Sequence, residues 1–232
     1  MTAIQGARER ARREVTAAIK EEARRRIAAE GAAKLSLRAV ARELGMASSA
    51  LYRYFPSRDD LLTALIIDSY DALGEAAEAA LAAVPPTEPA RRWTEVCRAV
   101  RAWALAHPHE YALIHGTPVP GYAAPADTNR AGARVPLALL TVARDAHGAG
   151  LLGTPPGEPL PEPVRAEAAE LAGEYAPGLP AAVTAAVAAA WAQLIGLVSF
   201  EVFGQFNGVV ERSRPDFFAH TARGLATAAG LP

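Results

Sequence analysis

Between residues 7 and 30 the apolar positions fall four apart, at Val15, Ile19, Ala23 and Ile27, and arginines and glutamates fill most of the rest. That spacing gives one apolar stripe and predicts a first helix that closes at Gly31. A shorter pattern follows, with Leu37, Val40, Ala41 and Leu44 at helical spacing. Ser36 stands before it, where a hydroxyl can accept a free backbone N–H, and Gly45 stands after it. Met46 and Ala47 turn the corner. Leu51 and Phe55 then give a small helix over 48–54 its inward side, leaving Ser48, Ser49, Tyr52, Arg53 and Tyr54 outward. Two short helices joined by a glycine turn, the second small, polar and aromatic, read as a helix-turn-helix sized for the DNA major groove.

The pattern after residue 56 stays helical. Ser57-Arg58-Asp59-Asp60 reads as a capping box opening a fourth helix, whose Leu61, Leu62, Leu65, Ile66, Leu73 and Leu81 run to residue 83. Pro85-Pro86 stop it. Trp93, Val96, Val100 and Trp103 mark a helix over 90–106, and His107-Pro108-His109 a boundary before a short segment at 110–115. A loop over 116–125 precedes helices at 130–147 and 164–175, which a Gly- and Pro-rich connector at 148–163 separates; that connector is expected to be mobile or disordered. The longest apolar helix spans 180–206, alanine-rich first and aromatic later, and a last helix spans 214–229. No strand pattern or internal repeat is evident. The prediction is an all-α chain: an N-terminal three-helix helix-turn-helix domain over 1–57, then a larger helical domain over 58–232.

Charge sharpens this division. The first sixty residues carry 13 Lys and Arg against 8 Asp and Glu, while the remaining residues carry 11 against 17. A basic segment that coincides with the motif is what a nucleic-acid module joined to a non-binding module carries. With 51% hydrophobic residues the chain can bury a sizeable core. Its single cysteine, Cys97, excludes an internal disulfide framework or a Cys-based zinc site and fits a reducing cytoplasm. Neither a signal peptide nor a run of membrane character is expected; the nearest, 179–200, is mostly alanine with a Gln. His107 and His109 are poorly spaced for a metal. No nucleophile elbow, phosphate loop or paired-cysteine motif is present, so no catalytic residue, cofactor or metal is expected.

On Leu37, Arg38, Val40, Ala41, Leu44, Gly45, Leu51, Tyr52, Arg53, Phe55, Pro56, Ser57, Arg58, Leu61 and Leu62 the chain closely resembles TetR-type transcriptional regulators. The ending Leu-Tyr-x-x-Phe-x-Ser-[Lys/Arg]-x-x-Leu-Leu is much narrower than a general helix-turn-helix. Ala47, Tyr54 and Arg58 depart from the commoner serine, histidine and lysine, which bears on which operator is read. A weaker resemblance, at 115–122 and at 191–204, is to the WHG subgroup of these regulators. Trp191 and Gly196 match its Trp-x-x-x-His-Gly pattern, but Ile195 stands at the histidine, so any role of that histidine does not transfer. The resemblance implies an all-helical homodimer without enzymatic activity, with an N-terminal DNA-binding domain and a C-terminal ligand-binding and dimerisation domain. It also implies repression of nearby genes, relieved by a small molecule.

The candidate DNA contacts are Ser36, Arg38, Ser48, Ser49, Tyr52, Arg53, Tyr54 and Arg58. Arg38 can meet a phosphate or a guanine, and Tyr54 a base or a phosphate; Tyr52 and Tyr54 can equally be half-buried aromatics. Arg58, at a helix start, can join the free N–H groups in holding a phosphate. The candidate ligand wall is Trp103, Tyr111, His115, Tyr122, Trp191, Phe200 and Phe203, although each alone reads equally as core. Glu201, in an apolar helix, either caps a cavity or faces solvent. Alanine-rich surfaces on the last two helices suit a homodimer interface. The leading expectation is a cytoplasmic repressor released from a palindromic DNA operator by a small apolar or amphipathic effector. The alternatives are an activator, a ligand-independent DNA-binding protein, or an enzyme or carrier with an incidental helix-turn-helix.

Overall fold

The computed structural model describes residues 3–232, with side chains from Gly6 onward. The elements are α1 (Ala3–Glu30), a 3-10 turn (Ala32–Lys34), α2 (Leu37–Glu43), α3 (Ser48–Leu51), α4 (Arg58–Ala82) and α5 (Pro89–Ala106). They continue with α6 (Pro108–His115), α7 (Asp127–Gly132), α8 (Arg134–Gly148), α9 (Glu162–Tyr175), α10 (Ala181–Val202) and α11 (Arg214–Ala228). The described residues contain no strand, so the fold is all-α. They form two compact units, one of residues up to Ser69 with 109–129, the other of 70–108 with 130–232. The division falls inside α4, whereas the motif alone suggests residue 57.

The first unit is sealed by Ile19, Ala23 and Ile27 from α1, Leu37, Val40 and Ala41 from α2, Leu51 and Phe55 around α3, and Leu61, Leu62 and Leu65 from α4. Leu113 of α6, with Val119 and Tyr122 beyond it, packs on the same core. Tyr122 Oη lies 2.9 Å from Thr63 Oγ1, which ties the loop after α6 to α4. Asp68 of α4 accepts from Lys20 at 2.8 Å and Arg24 at 2.7 Å. The buried Glu22 is held by Arg25 at 2.7 Å and Arg26 at 2.8 Å, so its charge is not buried alone.

The second unit centres on α10, which packs against α5, α8, α9 and α11. Its buried residues include Val183, Val187, Ala190, Leu194 and Val198; Trp93, Val100, Leu139 and Phe218 are buried from the neighbouring helices. α10 is long and apolar enough to cross a membrane by length and composition alone, a test that a core helix passes equally. Arg92 joins α5 to α8 through Asp145 at 2.8 Å. Arg134 of α8 crosses α4 at Gly74, where a Cβ would lie 2.6 Å from its own, and bonds Asp71 at 2.9 Å and Glu78 at 2.7 Å.

Several boundaries differ from those predicted. α10 stops at Val202, not Phe206, because Gly204 takes φ +75° and Gln205 N–H donates back to the Phe200 carbonyl at 2.8 Å. The stretch expected as one helix over 130–147 is two, α7 and α8. The 148–163 connector is fixed at one point, where Gly153 N–H donates to the Gly230 carbonyl at 2.8 Å. The Glu201 side chain does not face solvent; it is nearly buried and pairs with Arg101.

Candidate nucleic-acid interface

The reader is shaped by its turn. Gly45 sits at φ +62°, and Met46 N–H donates to the Ala41 carbonyl at 2.9 Å while Gly45 N–H donates to that of Arg42 at 3.2 Å. This paired closure ends α2 and sets the start of α3. Beyond Leu51 the backbone tightens: Arg53 N–H bonds the Ala50 carbonyl and Tyr54 N–H that of Leu51, both three residues back. The α-helix is therefore shorter than the predicted 48–54. Phe55 precedes Pro56, which disfavours a helical backbone there.

On this frame Arg38, Ser48, Ser49, Tyr52 and Arg53 are exposed, while Leu51 is fully buried beneath them. Together they form a surface of five polar or aromatic groups on α2, α3 and the turn after it. The other three candidates sit differently. Ser36 precedes α2 with extended backbone but makes no side-chain capping bond; its carbonyl accepts from Val40 N–H instead. Tyr54 is half-buried against the core, with the Arg12 guanidinium 5.2 Å over its ring. Arg58 turns inward: Nη2 donates to the carbonyls of Ala32 at 3.1 Å and Ala33 at 3.3 Å, and its Nε is buried without a partner. Its guanidinium thus ties the start of α4 to the 3-10 turn. Beside it, Ser57 Oγ accepts from Asp60 N–H at 3.1 Å and donates to the Asp60 carboxylate at 2.7 Å, half of the predicted reciprocal box.

The ligand candidates divide between the units. Tyr111, His115 and Tyr122 belong to the first; Trp103, Trp191, Phe200 and Phe203 belong to the second. Tyr111 is fully buried, and its ring centre lies 5.0 Å from that of His115. Burial pushes the His115 imidazole down to about 4, so it is neutral at pH 7. Trp103 packs on His107 at 5.1 Å. Phe200 and Phe203 are exposed, and Phe200 meets Phe206, which in turn meets Phe217, each at 5.7 Å. An open groove of about 630 Å³ in the first unit is lined by Arg12, Arg13, Lys20, Arg24 and Asp68 among others, and by none of the seven.

Two arrangements escape sequence reading. The bidentate Arg101–Glu201 pair, at 2.6 Å for both bonds, joins residues a hundred positions apart, and Arg101 also lies over the Phe218 ring. Arg12 is the other. Its position was legible, since it extends the α1 core stripe, but its partner Tyr54 was not.

Comparison with known proteins adds the family. Residues 19–65 match the family model described as bacterial regulatory proteins, tetR family, and residues 93–225 the one described as tetracyclin repressor-like, C-terminal domain. The HTH-type transcriptional regulator Rv1816 of Mycobacterium tuberculosis is 39% identical over 210 residues, covering 87% of this chain and 86% of its own. The regulator Mb1846 of Mycobacterium bovis matches to the same extent. Among solved structures, a chain described as the regulatory protein SCO4313 superposes with a TM-score of 0.74 at 34% identity, covering 94% of this chain and 98% of its own. These relatives are named as regulators, not enzymes. With both halves matched, and a reader exposed on a sealed core, the chain belongs to the TetR family of DNA-binding transcriptional regulators.

Proposed function

We propose that this regulator is a repressor that binds a roughly palindromic operator as a homodimer and is released by a small apolar or amphipathic molecule. Residues 1–57 bind the operator, and residues 58–232 bind the effector and dimerise through α10 and α11. The observation that carries the reading is the joint exposure of Arg38, Ser48, Ser49, Tyr52 and Arg53 over a fully buried Leu51. A two-fold dimer would set two such surfaces into successive major grooves. The exposed Phe200 on α10, Phe203 just past its end and Phe217 on α11 support the dimer. The neutral His115 beside Tyr111, and the loop from α6 tied to α4 at Tyr122, support an effector that acts through this end of the chain. The protein works in the cytoplasm, where its one thiol is buried and reduced.

The test is a mobility shift with the DNA upstream of the chain's own gene. Arg38→Ala is expected to weaken binding by about 1–3 kcal/mol. An effector that switches the protein nearly completely must favour the non-binding state by about 5.5 kcal/mol. Saturation by a ligand without any change in operator affinity would contradict the release mechanism.

A further inference from the structure

α1 begins well before the core it serves. Residues 7 to 14 are all exposed, and among the described side chains of α1 Ile19 is the first to be fully buried. A helical overhang of this kind gains little from burying apolar surface. Yet its arginines are not scattered evenly. At 3.6 residues per turn, Arg8 and Arg12 fall within about 60° of Val15 and Ile19, on the stripe that faces the core, while Arg10 and Arg13 point elsewhere. Past the edge of the core, the inward stripe changes from apolar to guanidinium.

The structure also says where that stripe leads. Arg12 lies 5.2 Å over the Tyr54 ring, and its Nη2 is within 3.5 Å of the Arg53 carbonyl. The overhang is therefore docked at the C-terminal end of the recognition segment. The rise of about 1.5 Å per residue sets Arg8 about 6 Å further along. Glu9 and Glu14 share the overhang, so its basic character is local to the faces that carry arginine.

We propose that Arg8 and Arg12 clamp the phosphate backbone of duplex DNA next to the half-site that the α2–α3 surface reads. This rests on the operator-binding function proposed above and adds a contact outside the helix-turn-helix. Such contacts set position and affinity and carry no sequence information. They release counterions, so each lowers the slope of log affinity against log salt by about 0.9 when it is lost.

The test measures the affinity of the full chain for a mixed-sequence duplex several helical turns long, by fluorescence anisotropy across a salt series. R8Q/R12Q and R10Q/R13Q remove the same charge, and all four side chains are exposed. In the dimer R8Q/R12Q removes four such contacts and is expected to flatten the salt slope by about 3.6, with R10Q/R13Q close to the unaltered chain. Melting temperature and helical circular dichroism report whether each variant remains folded. Equal slopes for the two double variants, whether both shifted or both unshifted, would overturn the clamp. If the unaltered chain shows no salt-dependent duplex binding, operator binding itself fails and the clamp with it. If that chain binds and R8Q/R12Q matches it, only the clamp fails.

Discussion

Gly45 occupies φ +62°, and nothing lies within 4 Å of where a Cβ would stand. An alanine there meets no neighbour, so its cost is backbone strain alone. Gly45→Ala is expected to destabilise the chain by about 1–2 kcal/mol in denaturant unfolding, and Gly45→Asn by less. His115 gives a pH signature. Its folded value of about 4 lies below the ordinary 6.5 because burial disfavours the charged ring. Between those values the unfolded chain binds a proton that the folded chain refuses. Stability should therefore fall as pH drops from 6.5 to 4 and this contribution should level off below. The loss is about 3 kcal/mol, and His115→Gln should show that much less decline over the same window. Identical pH profiles for the two chains would refute this. Residue identity was readable here in part. The helical end at Gly45 follows from glycine's freedom, but the burial of His115 depends on packing that sequence spacing does not encode.

Among elements, α10 shows the limits of periodicity most clearly. Its apolar content gave its existence and start, while its end came from a glycine closure four residues earlier than the aromatic pattern suggested. Its Glu201 was ambiguous because the partner, Arg101, lies on α5. Long-range ion pairs leave no trace in local spacing. Glu201→Gln would strand the Arg101 guanidinium, which is four-fifths buried, and is expected to cost about 3 kcal/mol in thermal or denaturant unfolding. Replacing both residues by leucine should recover most of that loss. A single variant as stable as the native chain would mean the pair contributes little. For the reader, the α2 stripe, the turn and the exposure of Ser48, Ser49, Tyr52 and Arg53 were legible, because amphipathic spacing and turn chemistry are local, whereas Tyr54, expected outward, is half-buried. The inward turn of Arg58 was not, since the carbonyls that attract it, Ala32 and Ala33, are exposed only by the fold of the preceding link.

At the scale of the whole molecule, a basic first quarter and an acidic remainder already separated DNA binding from other work. The ligand wall stayed illegible, because aromatic residues at helical spacing serve core, pocket and interface alike. The proposed dimer gives a clean expectation. Ala189 is exposed on α10, and Ala189→Arg should turn a dimer into a monomer in light scattering while leaving the helical content intact. The most direct test of the central claim is selection of duplex DNA from a random pool by the purified chain, followed by sequencing. An operator-binding dimer should enrich an approximate palindrome with half-sites about one helical turn apart, and Arg38→Ala should blur it at the same position in both halves. No enrichment, or a single asymmetric site untouched by Arg38→Ala, would contradict the account.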